Sequence, residues 1–315
     1  MDANLDLSVV IPVYNSEDVL PELLRQLDDA LKELRNEIIL VNDESADKSW
    51  EVILDMVSRY RQLVAVNLRK NSGQDNAIMA GLKISRGIHV VIMDDDLQHS
   101  PYDISALRDA CIKTKADVCY ARFPKKKQAL WKNLGSWFNG KAANRIIGKP
   151  DNIYLSPFKV LCQDVVREII KYDGPYPYVD GLIFTITRNI TQIDIKHHER
   201  FLGKSNYTLL KSIKVFMKLA TSFSIFPLRI VSVLGSLIAS AGFILMIWYL
   251  VEYFITARVI EGWTTLVVLM LLLGGSNLIF LGLIGEYLGR AYLYLNKRPQ
   301  YVIKDVVLGK ETDEA

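Results

Sequence analysis

Residues 90–98 read VVIMDDDLQ, and this stretch decides how the N-terminal part of the chain is interpreted. Apolar residues that suit a buried strand run directly into Asp94, Asp95 and Asp96. Like charges this close repel one another, so the stretch predicts that a positive group is held where the strand ends. Open α/β sheets bind their ligands at the carboxyl ends of the strands, which makes this a candidate site.

The surrounding sequence repeats the pattern of an apolar strand followed by a helix. Five strands are predicted, at Leu7–Val13, Glu37–Val41, Leu63–Leu68, His89–Met93 and Val118–Tyr120. Unbroken apolar strands that alternate with helices are typical of a mostly parallel, Rossmann-like α/β sheet covered on both faces. We expect residues 1–205 to form this domain.

Polar side chains follow several of these strands, at what would be one edge of the sheet. They are Asn15, Asp43, the three aspartates and Arg122. No Gly-x-Gly-x-x-Gly stretch and no P-loop motif occurs, which argues against the usual dinucleotide fold and against a P-loop enzyme. Carboxylate and carboxamide oxygens suit Mg²⁺ or Mn²⁺ rather than zinc.

Composition limits the partners and the compartment. A net charge of +3 over 315 residues gives no general attraction to nucleic acid, so no nucleic-acid partner is expected. The three cysteines show no CxxC spacing and are expected to be reduced thiols in the cytosol.

Two long apolar stretches, Leu228–Ile255 and Trp263–Leu288, lie near the C-terminus. Each exceeds the ~20 residues that a spanning helix needs, so residues 227–291 are predicted to hold two transmembrane helices rather than a pair of buried core helices. The flanks are basic, which predicts that both termini, with the tail 292–315, are cytosolic. Two spans without an inverted repeat favour anchoring over transport.

Two further segments have an amphipathic pattern. Within residues 206–226, apolar residues recur at helical spacing from Leu209 to Phe223, with lysines on another face, which predicts a juxtamembrane helix lying on anionic lipid. Residues 130–147 carry a stripe of Trp131, Leu134 and Phe138, which suits either a second interfacial helix or an ordinary surface helix.

Five motifs in this order, IPVYN, VNDES, GQDNAIMAGL, MDDDLQ and ERFLGKSNY, precede the two apolar stretches. Together they resemble the family 2 glycosyltransferases of GT-A fold that load sugars onto polyprenyl phosphate. That group includes the bactoprenol-phosphate glucosyltransferases, the undecaprenyl-phosphate aminoarabinose transferase and the dolichol-phosphate mannose synthases. The resemblance covers nearly the whole chain, from about Leu7 to Val302.

The resemblance implies a role for each matching position. The nucleotide-sugar donor would be held by Pro12, Tyr14, Asn15, Asp43, Gln74, Asp94, Asp95 and Arg122. The outer residues of the family's Asp-x-Asp-x-Gln motif bind the metal, and they match Asp94, Asp96 and Gln98. Because side chains alternate along an extended chain, Asp95 should point away from the other two aspartates. The diphosphate and the lipid phosphate would be gripped by Arg200, Gly203, Ser205 and Tyr207.

Three positions depart from the family pattern. The acidic turn, commonly Asp-Asp-Gly-Ser, reads Asn42-Asp43-Glu44-Ser45, which could change how the base or ribose is held. Asn206 replaces a usual lysine, whose charge Lys204 could supply. Pro157 stands where many members carry an aspartate that is a candidate catalytic base.

Two explanations of Pro157 remain open. Either Asp180 or Asp151 takes the role of the base, or no strong base is needed because a lipid phosphate with a second pKa near ~6 is already mostly dianionic at neutral pH. The resemblance implies an inverting, metal-dependent transfer from a UDP-sugar to undecaprenyl phosphate, in which Asp96, Asp180 and Arg200 are the candidate catalytic residues.

The expected setting is the bacterial cytoplasmic membrane, with the protein as a homo-oligomer. A non-catalytic membrane scaffold or sugar-lipid translocation partner is the alternative. A processive polysaccharide synthase is disfavoured because no Arg-Trp pair occurs.

Overall fold

The computed structural model describes residues 5–123, 150, 153–195, 226–256, 262–296 and 298–309. The chain divides into two compact units, Met1–Thr208 with Lys297–Ala315 and, separately, Leu209–Asn296. Several predictions lie outside the described residues: the amphipathic segment 130–147, the segment 206–226 except for its last residue, and the positions Asp151, Arg200, Gly203, Lys204, Ser205, Asn206 and Tyr207.

The first unit alternates strands and helices, as the apolar runs predict. Its elements are β1 (Leu7–Val13), α1 (Leu20–Leu31), β2 (Asn36–Asn42), α2 (Ser49–Val57), β3 (Leu63–Leu68), α3 (Gln74–Ile84), β4 (His89–Ile92), α4 (Ile104–Thr114), β5 (Val118–Arg122), β6 (Lys159–Cys162), α5 (Gln163–Ile169), α6 (Val179–Ile186), β7 (Ile190–Asp194) and β8 (Ile303–Leu308). A short 3₁₀ turn, Pro101–Asp103, precedes α4.

The strands form one sheet in the order β7-β5-β6-β4-β1-β2-β3-β8. β1 is parallel to β2 and β4, β2 to β3, and β5 to β7. β6 and β8 run antiparallel to their neighbours. The predicted mostly parallel sheet and its five strands are therefore confirmed, whereas β6, β7 and β8 were not predicted.

The centre of the sheet is buried on both faces. Every residue of β1 and β3 is buried, as expected where helices cover both sides of a parallel sheet. On α1, the buried leucines recur at helical spacing: Leu20, Leu23, Leu24, Leu27 and Leu31. Each fully buried leucine contributes about 1.5–3 kcal/mol relative to an exposed one, so this face docks the helix firmly on the sheet.

Helix α3 packs unusually close to the sheet at Gly81. A Cβ added there would collide with a methyl carbon of Val10 on β1 and lie 3.2 Å from a methyl carbon of Val41 on β2. Only a glycine allows this approach, and α3 begins at Gln74 beside the carboxyl edge of the sheet. The close packing therefore positions the start of α3 near the strand ends.

The second unit contains α7 (Phe226–Thr256) and α8 (Trp263–Leu295). Within them, Leu228–Trp248 and Leu266–Leu295 are long and apolar enough to cross a membrane, and none of the apolar windows is buried. A pair of core helices in a soluble protein would be buried, so the exposure favours the predicted spans. After α8 the chain returns to the first unit, where β8 pairs with β3.

Candidate active site

A cavity of about 490 Å³ opens at the carboxyl edge of the sheet, where β1, β2 and β4 end and α3 begins. It is lined by Pro12, Val13, Tyr14, Asp43, Asn71, Gly73, Gln74, Asp94, Asp95 and Asp96. Seven of the predicted donor-site or metal-site residues are thus brought together: Pro12, Tyr14, Asp43, Gln74, Asp94, Asp95 and Asp96. Asn15, Gln98, Arg122 and Asp180 do not belong to this lining.

Asp43 organises the loop between β3 and α3. It is 3% exposed, and its two carboxylate oxygens accept hydrogen bonds from the backbone N–H groups of Ser72 (2.7 Å) and Gly73 (2.8 Å). Glu44 extends the same contact, because its carboxylate accepts from the N–H of Asn71 at 2.6 Å. Two adjacent acids therefore hold three successive backbone amides at the cavity wall.

Asn71 and Gly73 were not predicted as site residues. Gly73 has φ +90°, a left-handed conformation that favours glycine, and it immediately precedes α3. A glycine between a strand and a helix-forming stretch was the signal that could have identified this turn. Asn71 carries no such signal, since its backbone is what Glu44 contacts.

Each of the three aspartates has a different partner. Asp94 accepts from the side-chain amide of Gln74 at 2.7 Å. Asp95 accepts from the Ser16 hydroxyl at 2.5 Å and from the Tyr14 N–H at 3.4 Å. Burial raises the pKa of Asp95 above its usual value, although the hydrogen bonds from Ser16 and Tyr14 oppose this. Asp95 thus braces the loop that follows β1.

The aspartates do not lie on an extended strand, so the prediction that Asp95 points away from Asp94 and Asp96 is wrong. β4 already ends at Ile92, and Leu97 has φ +58°, which turns the chain. The N–H of Gln98 donates to Asp96 at 3.1 Å within this turn. Consequently all three aspartates line the cavity, and Asp95 is distinguished by its partners in the β1–α1 loop rather than by facing away.

The first wall of the cavity is formed by Pro12, Val13 and Tyr14. Tyr14 is 52% exposed, so its ring is available to a ligand. Asn15, predicted beside it as a donor contact, has φ +56° and uses its side-chain oxygen to accept from the N–H of Ala46 at 2.8 Å. The structure therefore shows Asn15 bracing the loop after β2.

Arg122 lies at the end of β5 and forms a two-pronged ion pair with Asp194 on β7. The pairing lowers the pKa of Asp194 and raises that of Arg122. Both side chains are about half exposed. In this arrangement Arg122 is engaged with the neighbouring strand, and its predicted contact with the donor remains a prediction.

Asp180 lies in the first turn of α6 and belongs to a buried polar cluster. Its Oδ1 accepts from the Tyr120 hydroxyl at 2.8 Å and from the ammonium group of Lys159. Lys159 is only 3% exposed, and its Nζ lies 5.3 Å from the centre of the Tyr120 ring. Burial, with Asp180 adding to it, raises the pKa of Tyr120 well above its usual value.

The donor set of the cavity fits a magnesium-like ion. Among the described residues, no three His, Cys, Asp or Glu side chains form a ready-made metal cage. Mg²⁺ is usually held by one or two carboxylates together with substrate phosphates and waters, rather than by a cage made wholly of protein groups. Asp94 and Asp96, both at the cavity, supply two carboxylates of that kind.

The fold and the acidic cavity define a glycosyltransferase of the GT-A class. The glycosyl transferase family 2 profile matches residues 8–170, and the chain belongs to that family. The predicted enzyme class and the predicted family are therefore confirmed.

Two relatives illustrate the likeness. The chain is 33% identical to the undecaprenyl-phosphate 4-deoxy-4-formamido-L-arabinose transferase of Photorhabdus laumondii, over 98% of this chain and 96% of the relative. The enzyme of the same name from Pectobacterium carotovorum is also 33% identical, over 96% of this chain and 94% of the relative.

Solved structures share the fold at low identity. The crystal structure of a mycobacterial protein has a TM-score of 0.53 at 16% identity, covering 70% of this chain and 73% of that one. Glucosyl-3-phosphoglycerate synthase from Mycobacterium tuberculosis, crystallised with Mn²⁺, UDP-glucose and phosphoglyceric acid, has a TM-score of 0.52 at 15% identity, covering 70% and 78%.

Proposed function

We propose that this glycosyltransferase moves a sugar from a UDP-sugar to undecaprenyl phosphate, with inversion at the anomeric carbon and with Mg²⁺ or Mn²⁺ bound. The observation that carries the proposal is the cavity that joins Tyr14 and Asp43 to Asp94 and Asp96 at one edge of the sheet. The nearly full-length likeness to undecaprenyl-phosphate transferases and the two apolar helices support the lipid acceptor.

The roles follow from the cavity walls. Pro12, Tyr14 and Asp43 would hold the nucleotide, and Asp94 and Asp96 would hold the divalent ion against the diphosphate. Such an ion stabilises the negative charge that develops on the departing UDP. Direct attack by the phosphate oxygen on the anomeric carbon is a single displacement, which inverts that carbon.

No strong base is required in this proposal. A phosphate monoester with a second pKa near ~6 is mostly dianionic at neutral pH, so it gains little from losing a proton to the enzyme. The contacts of Asp180 support this view, because its Oδ1 is already engaged by Lys159 and Tyr120. Asp180 then stabilises the fold of the first unit instead of taking a proton.

The proposed setting is the bacterial cytoplasmic membrane, with the catalytic unit and both termini in the cytosol. The two apolar helices lie between β7 and β8, which are strands of the same sheet. If both helices cross the membrane, the chain leaves the first unit and returns to it on the same side of the membrane. Basic residues on both flanks favour the cytosolic side. Assembly as a homo-oligomer is part of the same proposal and rests on the resemblance alone.

A donor panel tests the function. Membranes containing the protein receive undecaprenyl phosphate and one UDP-sugar at a time, with UDP-4-deoxy-4-formamido-L-arabinose among them because of the relatives' name. We expect one lipid-phosphate sugar by product mass, and UDP release that needs both the acceptor and Mn²⁺ or Mg²⁺. If the protein neither binds nor cleaves any UDP-sugar of the panel, the alternative of a non-catalytic membrane scaffold is favoured.

A further inference from the structure

Strand β8, which follows the second apolar helix, reaches the cavity loops through a line of polar side chains. Asp305 on β8 lies opposite Asn67 on β3, and Asn67 lies opposite Asn42 on β2. Asn42 and Asn67 are 2% and 6% exposed. Buried amides of this kind need hydrogen-bond partners, and here they are partners of one another.

The hydrogen bonds run in one direction. The amide NH₂ of Asn67 donates to the Asp305 carboxylate at 3.2 Å, and the NH₂ of Asn42 donates to the Asn67 oxygen at 2.9 Å. The Asn42 oxygen accepts from the Ser45 hydroxyl at 2.6 Å, and the Ser45 oxygen accepts from the N–H of Asn15 at 3.1 Å. We call Asp305, Asn67, Asn42 and Ser45 the amide relay.

The carboxylate at the end of the amide relay sets its direction. A carboxylate only accepts hydrogen bonds, so Asn67 must turn its NH₂ toward Asp305 and its oxygen toward Asn42. Asn42 must then present its NH₂ to Asn67 and its oxygen to Ser45. The last member, Ser45, holds the backbone next to Tyr14, a wall of the cavity.

The amide relay also gives a physical reason for Asn42. The resembling family commonly carries an aspartate at this position. An aspartate could not donate to the Asn67 oxygen, so two acceptors would face each other, with the carboxylate of Asp305 on the other side of Asn67. Asn42, Asn67 and Asp305 are therefore chemically matched as a set.

We propose that Asp305 is a positioning residue for the nucleotide-sugar site, which it orders from the C-terminal strand through the amide relay. Asp305 does not touch the cavity; it acts by fixing the loops that carry Tyr14 and Asp43. The identity of the ligand rests on the proposed function, whereas the order of the loops does not.

A reversal of the amide relay tests the proposal in the full-length protein. Asn42→Asp alone should raise the KM for the UDP-sugar about tenfold, the effect of one lost buried hydrogen bond, with a smaller change in kcat. Asp305→Asn alone should stay near the wild type, because an amide can still accept from Asn67. The double variant Asn42→Asp with Asp305→Asn should recover most of the loss, since every donor then meets an acceptor in the opposite direction.

Lys304→Ala is the matched control, because Lys304 is the exposed neighbour of Asp305 on β8. Lys304→Ala should leave the KM of the wild-type protein unchanged, and it should not alter the recovery seen in the double variant. If Asn42→Asp fails to fold, Asp305→Ala replaces it as the test. This variant removes the terminal hydrogen-bond acceptor and should raise the KM for the UDP-sugar. Additive losses in the double variant, or a KM that none of the relay substitutions moves, would overturn the proposal.

Hydrogen–deuterium exchange provides a readout that needs no substrate. The backbone N–H groups of Asn15 and Ser45 should exchange faster in Asn42→Asp and regain protection in the double variant. Equal protection in all variants would contradict the amide relay itself. A wild-type protein that transfers no sugar would contradict the proposed function and leave exchange to decide the amide relay.

Discussion

Asp95 and Asp96 are neighbours in different surroundings. Asp95 accepts hydrogen bonds from Ser16 and Tyr14 in the β1–α1 loop, whereas Asp96 accepts from the N–H of Gln98 in the turn that it begins. In the proposed function the carboxylate of Asp96, which lines the cavity with Asp94, holds the divalent cation, and that of Asp95 holds the cavity wall.

Substitution of the two acids should separate these tasks. We expect Asp96→Ala to reduce turnover by about a hundredfold or more, because in the proposed function Asp96 helps to hold the divalent cation that neutralises the departing diphosphate. Asp95→Ala should retain most metal-dependent turnover and leave the Mn²⁺ concentration for half-maximal rate unchanged. Metal titrations of initial rate check this, and equal losses with equal shifts in metal requirement would contradict it.

The buried pair of Asp180 and Lys159 gives a second test. Asp180→Asn should lower the free energy of unfolding by about 3 kcal/mol or more, because it leaves the buried Lys159 without its carboxylate. The folded fraction should keep its turnover. Thermal unfolding and rate measurements on the same samples check both statements.

The double variant Asp180→Asn with Lys159→Met is the control for Asp180. Removing both charges should restore stability, and turnover should remain if Asp180 is not a base. A stable double variant that is orders of magnitude slower, with donor binding intact, would instead assign Asp180 the role of the base.

Among the elements, α3 depends on Gly81 for its fit to the sheet. Gly81→Ala should destabilise the protein by about 1–3 kcal/mol through overpacking against Val10, although alanine is the better helix former by about 1 kcal/mol. Lys83→Ala, on the exposed side of the same helix, is the matched control and should have little effect. A more stable Gly81→Ala variant would show that the helix can move away from β1 without cost.

The elements also show what the sequence could predict. β1 to β5 were found because their apolar runs are unbroken, a local signal. β6 is four residues long, β7 is only half buried, and β8 follows the apolar helices, so none of them gives such a signal. Their places in the sheet depend on non-local pairing.

The same limit applies to the site. Pro12 lies near the end of β1, and Tyr14, Asp43 and the aspartates follow strands, so their meeting at one edge could be predicted. The engagement of Asn15 with Ala46 and of Arg122 with Asp194 could not, because these partners come from other strands or loops. The turn at Leu97 likewise depends on backbone geometry that residue type does not reveal.

For the whole molecule, the position of β8 in the sheet constrains the topology. Tags at the two termini should be accessible from the same side, since both ends of the helical pair lead into one sheet, and in the proposed topology that side is the cytosol. Labelling of single introduced cysteines in intact cells and in inverted vesicles checks this. Labelling of the two termini from opposite sides would mean that only one of the helices crosses.

The pairing of β8 with β3 also orders events during synthesis. The outer edge of β3 is complete only when Ile303–Leu308 have left the ribosome, long after Leu68 and after both apolar helices. At about 5–20 residues per second, that edge waits for tens of seconds with unpaired backbone groups. A nascent chain is therefore exposed to strand-mediated aggregation until both apolar helices and β8 have been made. In the proposed membrane setting, delayed insertion of the helices should reduce the yield of folded enzyme as well as its anchoring.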